Sequence, residues 1–296
     1  MQFIPVRPPG VFTTSVDQEL RDRWEYSRRF LLYAFVLIPA LGVVSAAATT
    51  IGRGLQDGSE GLPEILAVAC LAAVLTALVA GGGLLVLRAN ASSPGRSVLM
   101  HPRWWVWAAP VILLIQGAVM NRVAAAVGAS SRGSWMSIQL LLPLVLMAGA
   151  GYFAWRAGRE LTEPLHPALG DTGISVDIMR EADRTAVMAP VVIKVTVAPE
   201  RIVVEHKRGR ESFGTVAELG FDRLVTVRSG WVSPGSVGDV WAGLPVSSAD
   251  RFPPNTPAVV LRTRDRDIFL AVDDTALVAA LVHRRALRYA AMNARR

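Results

Sequence analysis

The side chains able to do acid–base, nucleophilic or metal chemistry are few in this chain, and they are scattered. The histidines stand at His101, His166, His206 and His283, and the single cysteine is Cys70. No histidine has a second histidine, a cysteine or a close carboxylate pair at metal-ligand spacing, and a lone cysteine excludes an intramolecular disulfide. There is no G-x-S-x-G elbow, no phosphate loop ending in Lys-Ser/Thr, and no G-x-G-x-x-G following a strand. Asp273-Asp274 has the look of an acid–base pair. It also precedes a helical pattern, where carboxylates serve as caps and face the positive end of the helix dipole. Asp265 and Asp267 flank a turn and read as solvated. The residues therefore predict no metal, no cofactor and no catalytic constellation.

A second kind of chemistry comes from polar groups inside apolar runs, which are functional candidates by default in a bilayer. Four runs fill the first half of the chain, Phe30–Ile51, Ile65–Leu87, Trp104–Met120 and Trp135–Trp155, and the second half has none. A helix needs about 20 apolar residues to cross the hydrocarbon core, and lipid leaves its backbone no other partners. Gln116 and Gln139 are neutral amides within runs three and four. Glu64 and Arg122 stand where runs two and three meet one surface, with Arg122 able to snorkel. Proline in a spanning helix kinks it, and Pro39, Pro110 and Pro143 sit in runs one, three and four. Ala69, Ala73, Ala77 and Gly81 form a small-residue ridge at spacing four in run two. Such a ridge suits close helix contact, either within one bundle or between copies.

The charge is +7 and rests on arginine, since Lys194 and Lys207 are the only lysines. Arg21, Arg23, Arg28 and Arg29 precede run one. Arg88, Arg96 and Arg103 separate runs two and three, and Arg156 and Arg159 follow run four. The positive-inside rule then puts the N-terminus, the 88–103 loop and the C-terminal half in the cytoplasm. Trp104, Trp105, Trp107, Tyr152 and Trp155 fall at that same interface, and Trp135 at the opposite one. No cleavable signal peptide is expected, because the first run is too long and its flank is mixed in charge.

Residues 1–13 are Pro-rich and read as extended. Ser15 with Gln18 makes a capping box for a helix that runs from about Val16 into the first span. Residues 157–185 read as a polar connection with Pro164, Pro167, Gly170 and Gly173, and with a short helix near Ile178–Arg184. Strands are expected at Val191–Val197, Arg201–Lys207, Ser212–Glu218, Leu224–Ser229, Ala258–Thr263 and Asp267–Val272, with a further short one around Asp239–Gly243. Asp273 or Asp274 caps a last helix to about Asn293, with Leu277, Ala280 and Leu281 on its apolar face. Arg284, Arg285 and Arg288 within that helix and Arg295 and Arg296 after it make a basic C-terminal end. Its arginines either meet anionic lipid headgroups or form a solvated face. No aromatic side chains interleave with them, so nucleic acid is not the expected partner.

The opening strands around Val195 and Val203, the ELGFDRLVTV segment at 218–227 and the AVVLRTRDRDIFLAVDDTALVAALVH segment at 258–283 resemble the bacterial pleckstrin-homology (PH-like) domains. The resemblance covers roughly residues 187–290. It implies an open, bent β-sandwich of about seven strands closed at one end by a C-terminal helix, carried here on several spans in a bacterial plasma membrane. The 230–257 insertion departs from that pattern.

The expected architecture is a cytoplasmic segment at 1–29, a four-helix transmembrane domain at 30–156, a linker at 157–186 and a cytoplasmic mainly-β PH-like domain at 187–296, with both termini cytoplasmic. The expected function is non-catalytic: a membrane scaffold, adaptor or accessory subunit whose partners are membrane lipids and a protein or a second copy. A small transporter or channel subunit is the alternative, and an enzyme acting on lipid or envelope precursors is a third reading.

Overall fold

A computed structural model of the chain describes residues 4–9, 11, 17–57, 62–91, 98–126, 135–181, 191–208, 212–232, 256–265 and 267–294. It divides into two compact units. One comprises Met1–Arg7 and Asp22–Leu161, the other Pro8–Arg21 and Thr162–Arg296.

The first unit is helical. Helix α1 (Gln18–Leu32) passes through a π turn (Tyr33–Leu37) into α2 (Ile38–Asp57), followed by α3 (Leu62–Ala91), α4 (Pro102–Ala126) and α5 (Trp135–Thr162). Ser15 lies outside the described residues; the oxygen facing the first turn belongs to Asp17, whose Oδ1 accepts from Glu19 N–H at 3.1 Å. The π turn follows from Pro39. Its ring displaces the carbonyl four residues back and it has no N–H to offer. The helix widens just before it, and Ile38 N–H reaches back to Tyr33 O.

Four stretches are long and apolar enough to cross a membrane: Gln18–Gly52, Pro63–Val86, Pro102–Val123 and Leu141–Thr162. Only 22–33% of the most apolar part of each is buried within the protein. Large apolar side chains such as Leu41, Val44, Leu71, Val74, Leu78, Leu114, Leu144 and Val145 point outward instead. Water would penalise that surface and lipid does not.

What faces inward on α3 is mostly small. On α3 the buried stripe is Ile65, Ala69, Ala72 and Thr76. Farther along, Gly83 lets Ile112 of α4 approach so closely that a Cβ there would stand 2.8 Å from Ile112 Cδ1. The expected ridge of Ala69, Ala73, Ala77 and Gly81 does not lie as a whole along a contact within this bundle. Ala69 is buried, Ala73 is half-buried and Ala77 is exposed. A Cβ on Gly81 would meet nothing within 4 Å. Each step of four residues turns about 40° past one full turn, so a strict spacing of four winds off the contact face. The steps of four, three and four from Ile65 stay on it. Aromatic contacts tie one end of this unit together: Trp24 meets Trp105 edge-on at 6.5 Å, and Phe30 stacks on Phe153 at 6.0 Å.

The second unit carries the strands. β1 (Val176–Glu181), β2 (Val191–Val197), β3 (Arg201–Arg208) and β4 (Gly214–Gly220) form one antiparallel sheet in chain order. β5 (Leu224–Val232), β6 (Thr256–Thr263) and β7 (Asp267–Ala271) form a second, also in chain order. Helix α6 (Thr275–Asn293) follows, capped by Asp274, whose Oδ1 accepts from Leu277 N–H at 3.0 Å. Ile193, Val195 and Val197 are buried on β2, and Ala258 through Leu261 are buried on both faces of β6, the central strand of its sheet. The opposite face of β2 carries Lys194, which donates to Glu205 at 2.9 Å across the β2–β3 pairing.

Two expectations change here. The segment read as a short helix near Ile178–Arg184 is strand β1 as far as Glu181, paired from Val176↔Val197 to Glu181↔Val192. It lacks a β-branched run, and the open edge of β2 decides its state. The polar connection is also partly core. The 3-10 turn Pro167–Asp171 buries Ala168, Leu169 and Gly170. The strand read around Asp239–Gly243 lies outside the described residues.

Candidate functional site

In the first unit the polar residues converge on one pocket. Gln116 on α4 is 3% exposed, and its Nε2 donates to two backbone carbonyls, Pro39 O at 3.2 Å on α2 and Thr76 O at 3.0 Å on α3. One amide thus joins three helices. Gly42 makes room for it, since a Cβ there would stand 2.9 Å from Gln116 Oε1. That oxygen is buried and accepts no hydrogen bond from any described residue. It borders a small cavity of about 20 Å³, lined also by Ser45, Thr49, Thr76, Met120 and Pro143.

The hydroxyls around the cavity are already engaged. Ser45 Oγ donates to Gly42 O at 2.8 Å, Thr49 Oγ1 to Ser45 O at 2.8 Å, and Thr76 Oγ1 to Ala72 O at 2.7 Å. These are local bonds back onto the helix's own turn, the usual way a hydroxyl is satisfied in an apolar setting.

Of the other polar candidates in the runs, Glu64 and Arg122 are both exposed, and the side chain of Gln139 lies outside the described residues. Cys70 is exposed on α3. Among the described residues no group of three His, Cys, Asp or Glu side chains is placed to hold a metal ion.

The second unit has its own buried polar centre, on α6. Arg285 is fully buried, and its Nη2 donates to Leu169 O at 2.8 Å and Ile174 O at 2.7 Å. Its Nε and Nη1 are buried and have no hydrogen-bond partner among the described residues. Burial, and then the neighbouring charge of Arg288, pull the Arg285 guanidinium down to about 9, with Asp171 opposing. Arg288 is held down to about 10 by the same desolvation, against the attraction of Asp171 and Glu200. Beside them Arg284 is half-exposed and pairs with Asp171 at 3.0 Å. Helix and turn are in direct contact here, for a Cβ on Gly170 would collide with Leu281 O and crowd Arg284 Cβ.

This divides the basic end expected at lipid headgroups. Arg285 and Arg288 are buried against the Pro167–Asp171 turn and its surroundings, so they do not face a membrane surface. Arg284 is outward and holds a carboxylate. Arg295 and Arg296 lie outside the described residues. The apolar face of α6 is shifted as well, centred on Val278, Leu281 and Val282, with Leu277 and Ala280 half-buried. The sequence held a signal for this: Arg285 follows Val278 by seven residues and Leu281 by four, which puts it on the buried face. The pocket around Gln116 had a fainter one, the polar or small stripe Gly42, Ser45 and Thr49 within run one.

No protein-family model, no curated protein and no solved structure matches this chain.

Proposed function

We propose that the protein is a non-catalytic membrane scaffold or accessory subunit that holds a PH-like binding domain at the cytoplasmic face of a bacterial plasma membrane. The observation that carries the proposal is the build of the second unit. Two antiparallel meanders, of four and three strands in chain order, are followed by one helix. That count and order fit the bent sandwich with a closing helix which the PH-like resemblance implies. The first unit fits an anchor, because its apolar side chains mostly point out and its polar groups mostly bond inward.

The orientation rests on one end of the helices. Exposed Trp104, Trp107, Tyr152 and Trp155 share that end with Arg156 and Arg159, and Arg159 lies 5.4 Å over the Trp155 ring. Aromatic rings favour headgroup depth and arginine favours the cytoplasmic side. The partner of the β-domain is a protein or a second copy, with lipid contributing at the surface.

Gentle extraction of the tagged full chain from its native membrane, followed by mass spectrometry, tests this reading. A stoichiometric protein partner or a defined homo-oligomer is the expected result. A measured turnover abolished by a single polar-to-alanine change in a protein that still folds would sink it. A small channel or transporter subunit is the second reading, favoured by the buried amide of Gln116. Flux through reconstituted liposomes that is lost on Gln116→Ala would favour it.

A further inference from the structure

The Gln116 cavity is built to take a particular kind of occupant. An amide has a donor end and an acceptor end, and chemistry fixes which end faces which way here. Nε2 lies between the carbonyls of Pro39 and Thr76, at 3.2 and 3.0 Å. Turning the amide over would set Oε1 against two acceptors, so Oε1 must face the cavity. The three hydroxyls nearby each have one proton and each has acceptors other than Oε1 in reach: Gly42 O for Ser45, Ser45 O, Ala46 O and Met120 Sδ for Thr49, and Ala72 O and Ala73 O for Thr76. What remains on them is lone pairs. Met120 Sδ, 3.8 Å from Thr49 Oγ1, is also electron-rich. The polar side chains on the cavity wall therefore present acceptors, and the two donor hydrogens of the one amide are spent elsewhere.

We infer that this cavity binds a single small electropositive species against Gln116 Oε1, either the hydrogens of a trapped water or a sodium-sized cation. The size agrees, since about 20 Å³ accommodates about one water. The energetics agree too. A buried carbonyl oxygen left without a donor is costly, and an occupant of one heavy atom removes that cost without disturbing three helices. An anion or a carbonyl-bearing ligand would meet only lone pairs and apolar walls, and an acyl chain would suit the walls but leave Oε1 without a donor. The site stands apart from the proposed scaffold role and does not rest on it.

The experiment uses the full-length protein in lipid nanodiscs, with maps fine enough to show ordered waters, in sodium chloride and in choline chloride. The expected result is one compact density peak about 3 Å from Gln116 Oε1. A peak in both salts, with the same melting midpoint in each, identifies water. A peak in sodium alone, with a midpoint that rises with sodium and not with choline, identifies the cation. Gly42→Ala is the decisive variant. Its methyl would stand 2.9 Å from Oε1 and take up part of the cavity. Because alanine is a better helix former than glycine, the helix should persist. The peak, and any sodium dependence, should be lost in Gly42→Ala, where the amide end of Gln116 must also shift to clear the methyl. No peak in either salt, an elongated acyl density, or a peak that survives unchanged in Gly42→Ala would overturn the inference.

Discussion

Gln116 and Arg285 are both buried side chains that tie separate elements together through backbone carbonyls, and they differ in what they leave over. Gln116 donates to Pro39 O and Thr76 O and is left with an acceptor beside a cavity. Arg285 donates to Leu169 O and Ile174 O and is left with donors in a full, charged guanidinium. A neutral amide is cheap to bury once half its bonds are made. A buried cation remains expensive even when it is hydrogen-bonded, because desolvation acts on the whole charge. The bundle therefore joins its helices with dipoles, and the β-domain joins α6 to the Pro167–Asp171 turn with a charge. The second joint should be the more brittle one, and four perturbations measure the difference.

The largest effect is expected at Arg285→Ala. The change empties a fully buried site and leaves Ile174 O without its donor, while Leu169 O keeps Thr172. Cavity and lost bonds together predict a destabilisation on the order of 3–5 kcal/mol. Hydrogen exchange on the full chain should show lost protection in α6 and β1, with α2 to α4 unchanged. Protection retained in α6 would mean that the guanidinium does not hold the helix in place.

The same charge predicts a pH dependence confined to the β-domain. Burial first, and then the charge of Arg288, bring the Arg285 guanidinium down to about 9 in the fold, with Asp171 pulling it up. Below that pH the guanidinium is charged in both states and its full burial cost is present. As pH rises through about 9 the folded state can release a proton that the unfolded chain keeps. The unfolded state then binds more protons, so stability gains a rising contribution. Comparing the β-domain's unfolding midpoint with that of Arg285→Met between roughly pH 8 and 10.5 isolates this term. The wild-type chain should gain relative to the variant as pH rises. Parallel curves would mean that Arg285 is better solvated than its position implies.

Much of this architecture could be read before any coordinates, and the failures share a cause. The four helices long and apolar enough to cross a membrane follow from the apolar runs, and six of the seven strands among the described residues fall within two or three residues of their expected bounds. Strand β1 was hidden because Val176-Asp177-Ile178-Met179 has little propensity of its own, and its state is set by pairing with β2. Gln116 stood out as an amide in an apolar run, whereas Ser45, Thr49 and Thr76 did not. Their hydroxyls bond their own helix, and the three-and-four spacing of Gly42, Ser45 and Thr49 is only a faint trace of the face they share. Arg285 and Arg288 were read as outward because arginine usually is. The helical period placed Arg285 inward all along, and there residue type and position disagreed.

A smaller effect belongs to the amide. Gln116→Leu removes two donations, but each carbonyl keeps its place in a helix, so the loss should be about 1–2 kcal/mol, in the range of interhelical hydrogen bonds in membranes. The melting midpoint of the bundle in detergent checks this. A loss as large as that of Arg285→Ala would erase the contrast between dipole and charge.

The smallest effect tests the bundle's packing rather than its polarity. Ala77 is exposed, one turn beyond half-buried Ala73 and off the Ile65, Ala69, Ala72 and Thr76 stripe. Ala77→Leu adds an apolar side chain to a surface that already carries Leu78 and Val74, so stability should move by less than about 0.5 kcal/mol. The same change at Ala72, 1% exposed, would force a side chain into a filled contact with no room to relax. Thermal melts of both variants, with the mass of the detergent-solubilised protein measured alongside, distinguish the two faces of α3. An Ala77→Leu chain that keeps its melting point but changes its mass would show that the outward ridge meets another copy. An unchanged mass leaves that ridge to lipid.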